Sequence, residues 1–179
     1  MFTRMDSSTA EEWQHITEQH MPHIQDMPKR VISMLEQLAE LTLGFGTDQL
    51  HHALQTATMA RRAGADDEMI LISLIHDIGK VVNVLNHGQI VAEIVKPYVS
   101  GDAYHILRTH QDFQGEHYYQ YMGKPQDLRK QYTSEAWYSK AIEFTDKWDQ
   151  AAFDPSYQTD SLASFEPLIN SFFTTPRAL

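Results

Sequence analysis

The sequence contains no cysteine. Disulfide bonds, thiolate nucleophiles, cysteine-ligated iron–sulfur clusters and zinc sites of the cysteine type are therefore excluded. Any metal that this chain binds must take mainly nitrogen and oxygen ligands. The ten histidines and the 24 aspartates and glutamates supply both kinds of ligand in quantity.

Long apolar runs are also missing. No stretch approaches the roughly 20 apolar residues that a membrane-spanning helix needs. The polar segment that follows the first residues gives no sign of a signal peptide. We therefore expect a soluble protein of the cytoplasm that has no membrane partner.

Basic residues are few, since 14 lysines and arginines face 24 acidic residues and give a formal net charge of −10. A chain of this charge without basic clusters is a poor candidate for binding nucleic acid or an anionic membrane. A local positive pocket for a small anion is still compatible with the sequence, and its candidates are Lys80, Arg108, Lys124 and Arg129. The expected partner is a small-molecule substrate.

Apolar residues recur at helical spacing along nearly the whole chain, without alternating strand patterns or internal repeats. The predicted helices cover about residues 8–20, 27–41, 51–63, 69–78, 88–98, 102–121, 134–153 and 164–173, and Pro22 is expected to end the first of them. The length of 179 residues suits one domain. We predict an all-α protein with an N-terminal helical arm at residues 1–25 and one helical domain at residues 26–179.

The helix predicted at 69–78 is apolar on all sides, which is typical of a central, buried helix. It ends in His76-Asp77-Ile78-Gly79. A lone buried histidine is usually a hydrogen-bonded core residue, but two adjacent ionisable residues need partners or a metal, because burying them unpaired costs several kcal/mol. Helix neighbours project about 100° apart. One metal rarely takes both side chains, whereas with two metals His76 ligates one ion and Asp77 bridges the pair.

A longer pattern resembles a known family. His52, followed twenty-four residues later by His76-Asp77-Ile78-Gly79 and then by a late aspartate, resembles the HD-domain superfamily of metal-dependent proteins. The resemblance covers roughly residues 47–153. It implies a helical bundle around a dinuclear metal site, with residues 26–179 as the HD domain.

The resemblance also implies six metal ligands: His52, His76, Asp77, His87, His110 and Asp149. In the grouping that the family implies, His52, His76 and Asp149 hold one ion and His87 and His110 hold the other. Asp77 bridges the two ions together with a solvent-derived oxygen. Four imidazoles and two carboxylates suit Fe, Mn, Co or Zn better than Mg alone.

Neighbouring histidines leave two of these choices open. His51 is adjacent to His52, and only one of them can face a given site. The segment His52-Ala53-Leu54-Gln55 resembles the first-ligand segment of the family, so we predict His52 and place His51 at the surface. His117 lies seven residues after His110, on the same face of an unbroken helix, and is the alternative ligand there.

Two-metal HD proteins fall into two chemical classes. In phosphohydrolases a metal-bound hydroxide attacks phosphorus. In the mixed-valent Fe(II)/Fe(III) diiron oxygenases, which include the myo-inositol oxygenases and the enzymes that cleave 1-hydroxyphosphonates, the same scaffold activates dioxygen. His52-Ala53-Leu54-Gln55 resembles the oxygenases, and Lys80 stands where inositol oxygenases have a lysine that contacts the substrate.

The resemblance therefore implies a diiron oxygenase that uses dioxygen to cleave a small hydroxylated substrate, either a hydroxyphosphonate or a polyol. Cleavage would start with hydrogen abstraction at the hydroxyl-bearing carbon, and Lys80 would be the catalytic residue that orients the substrate. The alternative is a dinuclear phosphohydrolase of phosphoesters or nucleotides, with Mn, Co or Zn in place of iron. For Lys80 itself the alternative is a solvated lysine favoured by the dipole of the preceding helix.

Two sequence features bear on the substrate. Thr42 and Phe45 occupy positions where the phosphonate-cleaving enzymes carry a tyrosine and a glutamate that serve substrate-gated opening of one iron. Phe45 has no group that ligates iron, so the same gate is not expected. Tyr118, Tyr119 and Tyr121 are candidates to line the entrance, although packing is the competing interpretation.

Overall fold

The computed structural model describes residues 1–177, and within that range it contains eight α-helices and no β-strand. The all-α prediction is confirmed. The helices are α1 (Ala10–Gln25), α2 (Met27–Gln37), α3 (Gln49–Arg62), α4 (Asp67–Ile75), α5 (His87–Val95), α6 (Gly101–Tyr118), α7 (Tyr138–Glu143) and α8 (Leu162–Phe173). None of them, within the described range, is long and apolar enough to cross a membrane.

Helix α4 forms the centre of the core. Every residue from Met69 to Ile75 is buried, as the all-round apolar pattern predicted. Each large apolar side chain buried in this way contributes roughly 1.5–3 kcal/mol. Helix α3 packs along α4, and α5 packs against α6. In contrast, α1 has no buried residue. The predicted division between residues 1–25 and 26–179 stays a prediction.

Side-chain caps determine where three of the central helices begin. Asp48 accepts from the backbone of His51 at 2.8 Å, and Asp66 accepts from the backbone of Met69 at 2.8 Å. Ser100 accepts from the backbone of Ala103 at the start of α6. Each such cap is worth about 1 kcal/mol. These three residues therefore set the positions of the side chains that α3, α4 and α6 carry into the core.

Two predicted helix ends are wrong. Helix α1 continues through Pro22 to Gln25, because Pro22 is exposed and water can solvate the backbone carbonyl that loses its partner. Helix α4 ends at Ile75 instead of Ile78, and a 3₁₀ turn at Ile78–Val81 follows. The chain therefore leaves the α-helical path at His76 and Asp77, which turns their side chains away from the helix.

The single helix predicted at residues 134–153 is also wrong. The segment divides into α7, a π-helical turn at Phe144–Trp148 and a 3₁₀ turn at Asp149–Ala151. Single π-turns inside helices are frequent at functional sites. Here the residue that follows the π-turn is Asp149.

Gly79 permits a close approach between two backbone segments. A methyl group at this position would overlap the backbone carbonyl of His87, at the start of α5. No side-chain rotation can relieve that overlap, because the obstructing atoms belong to the backbone.

We expect Gly79→Ala to destabilise the protein by about 1–3 kcal/mol, the usual cost of overpacking a core. Gly101→Ala is the matched control, because a methyl at Gly101 meets no atom within 4 Å and alanine favours the helix. Thermal unfolding of both variants checks this. Equal melting temperatures would contradict the close approach at Gly79.

Candidate metal centre

Five segments bring the six predicted ligands together in the core. His52 lies in α3, His76 and Asp77 follow α4, and His87 is the first residue of α5. The other two are His110 in α6 and Asp149 after the π-turn. All six side chains are buried. They form two groups whose donor atoms lie within 4.8 Å of one another: His52, His76 and Asp149 in one, Asp77, His87 and His110 in the other.

The first group surrounds one point with three donors. The Nε2 atoms of His52 and His76 are 3.1 Å apart. Asp149 Oδ1 lies 3.3 Å from His52 Nε2 and 3.5 Å from His76 Nε2. Asp77 contributes a fourth donor, because its Oδ2 lies 3.5 Å and 3.3 Å from the same two nitrogens.

The second group has one protein donor fewer. The Nε2 atoms of His87 and His110 are 3.0 Å apart, and Asp77 Oδ1 lies 3.0 Å and 3.6 Å from them. Asp77 thus directs one carboxylate oxygen toward each histidine pair. This is the arrangement that a carboxylate bridging two ions requires.

A backbone carbonyl fixes the orientation of each of the four imidazole rings. Each Nδ1 lies 2.7–3.0 Å from a carbonyl oxygen: His52 from Ala152, His76 from Ser73, His87 from Val84 and His110 from Leu107. A carbonyl only accepts, so each Nδ1 carries a proton, and a ring in its neutral form presents a bare lone pair at Nε2. Metal-binding histidines in general are oriented by such a bond at the other nitrogen.

These lone pairs point at each other and at two carboxylates, which is unfavourable unless positive charge lies between them. The buried Asp149 Oδ2 has no hydrogen-bond partner in the described part of the chain and is a further free donor. Nitrogen-rich ligation of this kind suits iron and its transition-metal neighbours. The residues present therefore fit a pair of such ions.

The electrostatics of the cluster follow from burial and from the two carboxylates. Burial opposes protonation of His76, but Asp77 and Asp149 outweigh it and raise the pKa of His76 to about 10. Burial likewise opposes ionisation of both aspartates, but His76 outweighs it and lowers the pKa of Asp77 and of Asp149. Burial dominates at His110 and lowers its pKa. Without metal, a proton on His76 supplies the positive charge.

Two glutamines that sequence reasoning missed position the carboxylates. Gln114 Nε2 donates to Asp149 Oδ1 at 2.9 Å, and Gln49 Oε1 accepts from Lys80 Nζ at 2.6 Å. Lys80 Nζ also donates to Asp77 Oδ2 at 2.5 Å. A signal was available, because Gln49 precedes His52 by three residues and Gln114 follows His110 by four residues, which places each glutamine beside its histidine on one helix face.

Aromatic rings cover one side of the centre. Phe153 stacks on His52 with ring centroids 4.3 Å apart, and Phe45 stacks on Phe153 at 5.0 Å. The expectation that Phe45 offers no metal-binding gate agrees with this stacking. Thr42 is exposed and lies outside the cluster. Phe45 thus forms part of an apolar cover at a position where the family resemblance would have implied a polar residue.

A cavity of about 620 Å³ opens beside the second group, and its wall includes His87 and Lys80. Tyr118 and Tyr119 line it as predicted. Tyr121 does not, because its side chain is 83% exposed and turns to solvent. Burial raises the pKa of Tyr118, so its hydroxyl stays protonated and can donate to a bound molecule.

The remaining candidates lie outside the cluster. His117 is half-exposed and its Nε2 contacts Asp146 Oδ1 at 3.0 Å. His51 is half-buried rather than at the surface. Of the predicted positive pocket, Lys80 and Lys124 line the cavity.

The two arginines proposed for that pocket do not line the cavity. Arg108 pairs with Glu93, and Arg129 pairs with Glu116 and Asp146. The expectation of a four-cation pocket is therefore wrong, since these acidic partners hold both guanidinium groups elsewhere.

The comparison with protein families gives one match. The sequence profile of the family described as myo-inositol oxygenase matches residues 4–143, which is more than three quarters of the chain. The match includes five of the six clustered residues and Lys80, whereas Asp149 lies beyond it. A comparison with the curated proteins gives no match.

His110→Ala and His117→Ala test the assignment of the second group. We expect His110→Ala to retain roughly one metal ion per chain, because the donors of the first group stay intact. We expect His117→Ala to retain two. Metal analysis of the purified variants is the measurement, and the reverse pattern would show that His117 is the ligand.

Proton release on metal binding tests the charge of the cluster. With a pKa of about 10, His76 is protonated at neutral pH, and a metal can use its Nε2 only after that proton leaves. We expect Zn²⁺ binding to release at least about one proton per chain, and the affinity to rise with pH until about pH 10. Calorimetry in two buffers of different ionisation enthalpy measures the proton count. A binding heat independent of buffer would contradict the protonated cluster, and His117→Ala should leave the count unchanged.

Proposed function

Since the chain belongs to the myo-inositol oxygenase family, a family of diiron oxygenases, we propose that it uses dioxygen to cleave a carbon–carbon or carbon–phosphorus bond beside a hydroxyl group. The proposed ligands of the two irons are His52, His76, Asp77, His87, His110 and Asp149. The proposed substrate is a small hydroxylated molecule.

The observation that carries the proposal is the asymmetry between the two donor groups. Four protein donors surround the point between His52 and His76, whereas three surround the point between His87 and His110. His87 lines the cavity, and the first group does not. The ion with fewer protein ligands therefore has room for a substrate hydroxyl, and that room opens toward the cavity.

The bound iron pair would supply the redox chemistry with dioxygen, and the protein supplies binding and orientation. With a vicinal diol, one dioxygen yields a carboxylic acid, an aldehyde and one water. With a 1-hydroxyphosphonate, one dioxygen yields a carboxylic acid and phosphate. Both reactions are four-electron oxidations that consume one dioxygen, so they balance without another reductant.

Lys80 is proposed to orient the substrate. Its ammonium group lies between Asp77 Oδ2 and Gln49 Oε1 and also forms part of the cavity wall. An ammonium group has three donor protons, and these two bonds use two of them. The third can donate to a hydroxyl or an anionic group of the substrate. The same charge favours the ionised form of Asp77.

The aromatic cover has a second role in this proposal. Phe153 and Phe45 stack over His52 and present carbon to the cavity rather than a polar group. Water is thereby kept away from the first donor group, which strengthens the electrostatic interactions there. Access is left on the side of His87.

The competing phosphohydrolase has weaker support. Of the four cations considered for an anion pocket, only Lys80 and Lys124 line the cavity, and Lys80 is already paired with Asp77. A nucleotide would bring several negative charges to this wall. A nucleotide therefore finds few cationic partners on this wall.

Oxygen consumption tests the proposal. We expect the anaerobically iron-loaded protein to take up dioxygen with members of a panel of diols, polyols and 1-hydroxyphosphonates. Lys80→Met should raise KM by about tenfold or more, because a charged hydrogen bond is lost, while both metals remain bound. Lys96→Met is the control, because Lys96 directly follows the C-terminal end of α5, is exposed and pairs with Glu93. Rapid phosphoester hydrolysis by the Mn-loaded protein, without oxygen uptake by the iron-loaded protein, would establish the hydrolase instead.

A further inference from the structure

The mouth of the cavity concentrates the apolar side chains that the domain exposes. From residue 26 to residue 177, the large apolar or aromatic side chains that are exposed number seven: Leu43, Phe45, Val82, Val84, Leu85, Tyr121 and Met122. Five of them line this cavity, and Val82 and Tyr121 are near neighbours of lining residues in the sequence. Exposed apolar residues scattered singly are ordinary, but a contiguous group marks a binding surface.

Three separate segments supply this apolar rim, which comprises Leu43, Phe45, Val84, Leu85 and Met122. Leu85 is 87% exposed and Met122 is 59% exposed. The backbone of Leu43 has a φ of 51°, which is uncommon for a residue other than glycine. Such a conformation costs free energy and is retained where function needs it. The turn that presents Leu43 at the rim therefore has a cost in free energy.

Most polar groups of the cavity wall already have partners within the protein. Gln114 donates to Asp149, Gln150 donates to the backbone of Asp146, and His117 contacts the carboxylate of Asp146. These side chains are therefore less available to a molecule with a hydroxyl on every carbon. Each hydroxyl that loses water without gaining a partner weakens binding.

The two ends of the cavity thus differ in chemistry. The inner end presents His87 and Lys80, and the outer end presents the apolar rim. Building on the proposed function, we propose that the substrate is an amphiphile with one hydroxylated head and a hydrocarbon tail. The head reaches His87 and Lys80, and the tail covers the apolar rim. The rim, rather than the metal centre, selects this substrate class over a compact polyol.

The test is a chain-length series with the iron-loaded protein under anaerobic conditions. The ligands are 1,2-alkanediols and 1-hydroxyalkylphosphonates with unbranched tails, and calorimetry measures their dissociation constants. We expect the dissociation constant to fall about fourfold for each added methylene until the tail extends beyond the cavity. Comparison of the two series shows which head group binds more tightly. We expect the dependence on tail length in the series with that head group.

Two variants and a control locate the effect at the rim. Leu85→Ser and Met122→Ser should reduce the dependence on tail length, so that their loss of affinity grows as the tail lengthens. Val82→Ser is the matched control, because Val82 is 66% exposed beside the rim and does not line the cavity. Metal content should be the same in all three variants.

A dissociation constant that is independent of tail length would overturn the proposal that the substrate is an amphiphile. If oxygen uptake were then fastest with a compact polyol, the oxygenase proposal would stand and the substrate class would be the polyol. Self-association that Leu85→Ser abolishes, together with a flat series, would make the rim an interface between copies of the chain. Tail-dependent binding without oxygen uptake by any ligand would retain the amphiphile site and reject the oxygenase.

Discussion

The structure depends on one buried constraint, in which four imidazole rings direct bare nitrogen lone pairs at the two oxygens of Asp77. Each ring is held in that orientation because its other nitrogen donates to a backbone carbonyl. Such an arrangement is costly unless positive charge lies within it. A metal pair supplies that charge in the proposed enzyme, and a proton on His76 supplies part of it otherwise. Binding of metal and stability of the fold are therefore coupled.

The irregular parts of the helices follow from this constraint. Helix α4 ends at Ile75, so His76 and Asp77 lie in a turn and face different neighbours. The π-turn at Phe144–Trp148 brings Asp149 to the first donor group. Gly79 allows α5 to begin close enough for His87 to reach Asp77. Without these irregularities, the side chains of the six candidate ligands would not project toward one another.

The centre has a closed side and an open side, and the two sides have different roles. Phe153 and Phe45 separate His52 from the cavity, whereas His87 and Lys80 reach the cavity wall themselves. The donor groups of the candidate metal centre thus lie beside a cavity whose outer wall is mostly carbon. In the proposed enzyme, the apolar rim that would select the substrate is separate from most of the residues that would hold metal, so substrate preference could change without changing the metal centre.

The sequence by itself determined the all-α class, the buried central helix and the candidates His52, His76 and Asp77, because burial patterns and the spacing of these three residues are local signals, whereas the full set of six came from the family resemblance. Only the tertiary structure separated His110 from His117, which share a helix face but lie about 10 Å apart along its axis, so that His110 is buried and His117 contacts Asp146 at the surface. Likewise, the bond from His52 to Ala152 and the stacking of Phe153 on His52 join residues about a hundred positions apart. Local periodicity encodes which face of a helix is buried, whereas such contacts depend on how distant segments pack.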